Sequence, residues 1–310
     1  MRAITVNEYG EAPALTEVPD PHPGPGQVLI KVEAAGMNPM DRSMAAGAWK
    51  EQMPGSFPFV LGADLAGVVE AIGEGADRFK VGEEVFGQLI VAPLGSAGTY
   101  AEHVAVTENA PLARRPEGLD PIVAAALPTA GVTALQIVES LGQLTGKTML
   151  MVGAAGGVGS FAMQLAAQTG AHVIAVARAD AADRMRNYGA VETVDFTTVS
   201  VPDAVQQTHP DGIDVLVDVA SDVDGFATLA ALVRPGGTAL TTRYLADAEA
   251  LASRGVAGVN FRVEMSSEAL GRLADIVVSG TIVVPPITRI ELEDVAALNG
   301  SADGKTVITP

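Results

Sequence analysis

Residues 148–177 carry no formal charge for 30 consecutive positions, and a glycine cluster, not an unbroken apolar run, occupies the middle of that stretch. A membrane-crossing helix needs about 20 predominantly apolar residues in one helical run, and the glycines interrupt it. Residues 146–152 instead read as a short strand, 153–160 as a turn, and the following Ala-, Met- and Leu-containing segment as a helix. A strand that hands a glycine-rich turn to a helix N-terminus presents free amides and a positive dipole end, the arrangement that holds a dinucleotide pyrophosphate. In the fingerprint G-x-G-x-x-G, Ala154 takes the first glycine's place and Gly156 and Gly159 the other two. The expected cofactor contacts at the turn are therefore Ala154, Gly156, Gly157, Val158 and Gly159.

A second strand, residues 171–177, ends at the position that selects the cofactor. An acidic residue there would grip a ribose 2′-hydroxyl, whereas a cation suits a 2′-phosphate. The sequence has Arg178, with Arg184 and Arg186 following, so the expected cofactor is NADPH; with Asp180 close by, the alternative for Arg178 is a solvated strand-end charge. The fourth strand of this half, residues 214–220, should bring Val219 beside the cofactor. The next strand runs into Thr242, expected at the cofactor, and into Arg243 and Tyr244, expected at the substrate; Arg243 equally suits a surface charge.

At 310 residues the chain is long enough for two domains, and 48% hydrophobic with 18% charged residues supplies cores for both. Residues 1–121 are rich in Val, Gly and Pro and alternate like strands. Residues 122–262 alternate strands with helices, the pattern of a doubly wound parallel sheet. Residues 263–310 form a helix and then a strand-like tail that resembles the first part. The fold class is thus α/β with a β-rich partner domain. A net charge of −18 opposes nucleic acid and anionic membrane surfaces, which leaves a small molecule as the expected partner. There is no cysteine, so disulfides, thiolate nucleophiles and cysteine-held zinc are excluded. The beginning of the chain shows no signal region, so the cytoplasm is the expected location. His22, His103, His172 and His209 show no paired metal-ligand spacing.

Five segments together resemble the medium-chain dehydrogenase/reductases, and within them the zinc-independent quinone oxidoreductase branch: residues 26–41, 61–69, 98–102, 128–135 and the turn at 153–159. The resemblance implies a GroES-like catalytic domain split around a Rossmann domain, and a homodimer paired through the last Rossmann strand, near residues 258–264. It places Asn38, Ala63 and Thr129 where zinc-dependent members carry two cysteines and a histidine, so no metal is expected. Without a Lewis acid the expected reaction is reduction of an electron-poor acceptor, helped by hydrogen-bond donors near the developing oxyanion. Asn38 and Thr129 are the candidate donors, the alternatives being a turn asparagine and a helix-start threonine; Asp41 is expected to shape the loop. Trp49 suits either the substrate cleft or the core. The expected activity is an NADPH-dependent quinone reductase, with a reductase of 2-alkenal or enone double bonds as rival. From another class comes a non-catalytic NADPH-binding or sensing protein.

Overall fold

The computed structural model describes residues 1–297 and 303–310. The chain forms two units, Met1–Val132 with Met265–Pro310, and Thr133–Glu264. The first division falls beyond the change of texture at Pro121. The Pro121–Ala125 helix, capped by the Asp120 carboxylate, belongs with the β-rich unit, and Thr129 is hydrogen-bonded to Asp64 there. Ala-rich composition marks a helix, but its packing partners decide to which unit it belongs.

In the β-rich unit, seven strands form one sheet. Its central strand, Gln27–Met37, alternates buried Val28, Ile30 and Val32 with exposed Lys31, then becomes buried on both faces over residues 34–36. That change marks where the sheet is covered. On one side the strand pairs with Lys305–Thr309, Val307 standing opposite Gly36. On the other it pairs with Asp64–Ile72, Asp64 standing opposite Gly36 and, across its own other edge, opposite Gln88. Asn38, Asp64, Gln88 and Lys305 consequently lie at neighbouring strand ends. A second, three-stranded sheet joins Arg2–Val6 to Ala14–Glu17 and Phe59–Val60, and the core includes Ile4, Phe59, Leu65 and Leu112.

The other unit carries six parallel strands in the order third, second, first, fourth, fifth, sixth. This is the Rossmann order, in which the strand sequence reverses direction between the first strand, Thr148–Val152, and the fourth, Ile213–Asp218. Leu150, Ile174, Leu216 and Phe226 fill its core. The edge strand is shorter than the sequence suggests: it spans Ala257–Asn260, with Phe261 still donating its N–H to the Thr241 carbonyl at 2.8 Å. Among the described residues no helix is long and apolar enough to cross a membrane.

Candidate active site

In the Rossmann unit the first strand runs into Gly153, whose φ of +82° lies in the left-handed region that favours glycine. A Cβ there would stand 3.0 Å from side-chain atoms of both Val219 and Ala220. Gly156 caps the Gly157–Gln168 helix in extended conformation, and the helix's own bonding begins with Ser160 donating to the Gly156 carbonyl at 2.9 Å. The first-turn amides of Gly157, Val158 and Gly159 precede that bond, as they must at an anion-binding helix start. A Cβ on Gly159 would meet the Gly153 carbonyl oxygen at 2.1 Å, so helix and strand end touch backbone to backbone. One assignment shifts. The sharp turn falls on Gly153 rather than on Ala154, which is fully buried, donates its N–H to the Val176 carbonyl at 3.3 Å and accepts the Ser160 hydroxyl at 3.1 Å. Ala154 ties the turn to the second strand.

Arg178 is exposed just beyond the His172–Val176 strand, while Arg186 is paired with Asp183 at 2.8 Å. Beyond the fourth strand, buried Asp218 accepts the Ala220 and Ser221 amides at 3.0 and 2.9 Å and folds the chain back at Val219. Arg243 reaches the Ala220 carbonyl at 2.7 Å and so joins the ends of the fourth and fifth strands. Thr242 is half-buried there, and Tyr244 is 62% exposed with φ 60°, a conformation that strains a bulky residue and concentrates at functional sites. Val219, Thr242, Arg243 and Tyr244 therefore gather with Gly153 at the carboxyl ends of the strands, where ligands bind in such sheets.

The β-rich unit holds a second polar assembly. Asn38 donates its side-chain amide to Asp64 at 2.9 Å and accepts the Lys305 ammonium at 2.6 Å; Lys305 also donates to the Met37 carbonyl at 2.8 Å. Thr129, at the start of the Pro128–Leu141 helix, gives Asp64 both its hydroxyl, at 2.6 Å, and its backbone N–H, at 3.0 Å, and accepts Gln88 at 2.6 Å. Asp41 takes the Asn38 backbone N–H at 2.7 Å and the Tyr100 hydroxyl at 2.6 Å on one oxygen, while its other oxygen is buried and unpartnered among the described residues. Two carboxylates thus face a single ammonium. Burial, reinforced by Asp64, pushes Asp41 up to about 7, with the Tyr100 hydrogen bond opposing. Burial also raises Asp64 against the pull of Lys305, and lowers Lys305 against both carboxylates. Near neutral pH Asp41 is therefore a mixture of its protonated and ionised forms.

Comparison with known proteins shows the family. The Alcohol dehydrogenase GroES-like domain family matches residues 24–117, and the Zinc-binding dehydrogenase family matches residues 157–279. A chloroplast envelope quinone oxidoreductase homolog of Arabidopsis thaliana is 35% identical over 234 residues, 72% of this chain and 69% of that protein. The 2-methylene-furan-3-one reductase of Solanum lycopersicum is 30% identical over 325 residues, all of this chain and 79% of that protein. Among solved structures, the Pseudomonas syringae pv. Tomato DC3000 quinone oxidoreductase superposes with a TM-score of 0.84 at 27% identity, covering 100% of this chain and 99% of that one. The chain belongs to the medium-chain dehydrogenase/reductases, in their quinone oxidoreductase branch. It is an oxidoreductase of nicotinamide cofactor and small-molecule substrate.

The positions assigned to a catalytic zinc in other medium-chain members do not fit the metal here. Ala63 offers a methyl group, the Asn38 carbonyl oxygen is already bonded to an ammonium, and that buried cation opposes a dication beside it. Asn38 and Thr129 were expected as donors to an acceptor oxygen, but the structure commits both side chains to Asp64, Lys305 and Gln88. Asp41 shapes the loop as a cap for the Pro39–Ala45 helix. Trp49 packs half-buried against the core of its unit. Asp64, Gln88, Tyr100 and Lys305 went unnoticed in sequence. The signal for Asp64 was a charged residue between Ala63 and Leu65 in an apolar run, whereas Lys305, between Gly304 and Thr306, carried none.

Proposed function

We propose that this protein is an NADPH-dependent reductase of quinones and related conjugated carbonyl acceptors that works without zinc and pairs with a second copy through its Ala257–Asn260 edge strand. The observation that carries this reading is the buried Asn38–Lys305–Asp64 network, in which Asn38, at a position the resemblance aligns with a zinc ligand, is bonded to a lysine and an aspartate instead. Gly156 to Gly159 would hold the pyrophosphate through backbone amides, Gly153 and Val219 would flank it, and Arg178 would take the 2′-phosphate. Bound NADPH supplies the hydride, which with one solvent proton converts a quinone to its hydroquinone. Thr242, Arg243 and Tyr244 orient the ligand at the strand ends, while Asn38, Thr129 and Asp41 hold the loop of the β-rich unit in shape.

A panel of benzoquinone, naphthoquinone and alkenal acceptors, followed by loss of NADPH absorbance, tests the activity. Turnover of the quinones is expected, and no consumption above buffer with any acceptor overturns it. A second reading, reduction of an enone double bond, is favoured by the full-length similarity to the 2-methylene-furan-3-one reductase. Faster turnover of alkenals than quinones selects it. For the cofactor, Arg178→Ala weakens NADPH by about 1.5–3 kcal/mol, the value of a hydrogen bond to a charged group, and leaves NADH unchanged. Equal weakening of both removes Arg178 from the 2′-phosphate.

A further inference from the structure

Two of the four histidines that show no pairing in sequence, His172 and His209, meet in space. His172 opens the second Rossmann strand, Glu192 lies in the neighbouring Ala190–Val194 strand, and His209 caps the end of the Val201–Thr208 helix. The Glu192 carboxylate oxygen Oε1 lies 2.6 Å from His172 Nε2 and 2.9 Å from His209 Nε2, and the three atoms all fall within 4.8 Å of one another. The rings stand edge to face at 5.7 Å. No other group of three or more His, Cys, Asp or Glu side chains among the described residues converges in this way. The cluster sits at the opening end of its strand. The Gly153 turn lies by the closing end, four residues and about 13 Å of strand away.

We propose that His172, Glu192 and His209 form a binding site for one zinc ion, separate from the cofactor turn. Each Nε2 lies at hydrogen-bond distance from the Glu192 carboxylate, so binding an ion requires the imidazole proton to sit on Nδ1 instead, after which the cluster supplies two nitrogens and a carboxylate oxygen. Imidazole nitrogens select zinc over magnesium or calcium, which prefer all-oxygen shells. With bonds of about 2.0–2.2 Å, ligand atoms around a tetrahedral ion stand roughly 3.4 Å apart. The site must therefore open by roughly half an ångström to one, and the Glu192 side chain, 30% exposed, has room to withdraw. The side chains of His172 and His209 are 37% and 19% exposed, which leaves the fourth position to water. The field of a chain with net charge −18 draws cations to it. A bound ion would clamp two strands and a helix end of the Rossmann unit, remote from the reaction and independent of which acceptor is reduced.

Zinc chloride titrated calorimetrically into the EDTA-treated, dialysed full-length protein should show one saturable site per chain at micromolar affinity or tighter, with a rise in Tm. His209→Gln and Glu192→Gln should each weaken zinc by about tenfold or more while leaving NADPH oxidation unchanged. Cobalt(II), followed by its visible d–d absorption, reads the same site in the unmutated protein and does not depend on a variant folding. Absence of saturable zinc binding, absence of the cobalt band, or a zinc affinity in both variants unchanged from that of the unmutated protein overturns the assignment.

Discussion

The turn at residues 153–159 offers a ligand backbone and little else, whereas the assembly around Asp64 is made almost wholly of side chains. The first comes from one contiguous segment; the second draws on residues 38, 41, 64, 88, 100, 129 and 305. The contrast is one of tolerance. A backbone cradle asks only for the absence of side chains at a few positions, while a buried charge network asks that every partner be present at once.

The largest expected consequence lies in the network. Lys305→Met leaves Asp64 buried without its cation and should lower unfolding free energy by about 3–5 kcal/mol in urea titration. Adding Asp64→Asn to that variant should restore part of the loss, and a double variant no more stable than Lys305→Met alone would show that the pair is not coupled. On the other side, Gly159→Ala pushes a methyl into the Gly153 carbonyl and should weaken NADPH about a hundredfold, or about 2.7 kcal/mol, in a fluorescence titration. Unchanged affinity would break the backbone-cradle account.

The third effect is a slope. Between the ordinary carboxyl value of 3.8 and about 7, folded Asp41 keeps a proton that the unfolded chain has released. The unfolded state binds fewer protons, so this group's contribution to stability falls as pH rises through that window and is level above it. Asp41→Asn removes one proton from the balance and should flatten the stability profile there by up to about 1.4 kcal/mol per pH unit; Asp64, shifted in the same direction, keeps some slope. Identical profiles for both proteins would remove Asp41 from the balance.

The same contrast explains what could be read from the chain. Glycine spacing between a strand and a helix is a local pattern, so the Rossmann turn, the alternation of strands with helices and the Ser267–Val278 helix were legible in sequence. Even there, the placement of the tight bend at Gly153 rather than Ala154 depended on backbone geometry. Lys305 and Asp64 are 241 positions apart, and nothing in either neighbourhood names the other. Only strand pairing, with Gly36 between Val307 and Asp64, brings them together. Buried charges demand partners, so an Asp or Lys within an apolar strand predicts that a partner exists without saying where. The edge strand was overextended for a related reason. The segment 259–263 has β-character throughout, but its register with the neighbouring strand ends at Asn260, with one further bond from Phe261 N–H to the Thr241 carbonyl.

Lys305 also bears on the order in which the protein comes into being on the ribosome. The Thr133–Glu264 unit is one uninterrupted stretch, whereas the network of the β-rich unit needs a residue translated long after Asn38 and Asp64. Until then the nascent chain holds two carboxyl groups whose countercharge has not yet been made. The β-rich unit therefore has its full set of charge partners only once the strand carrying Lys305 has been made.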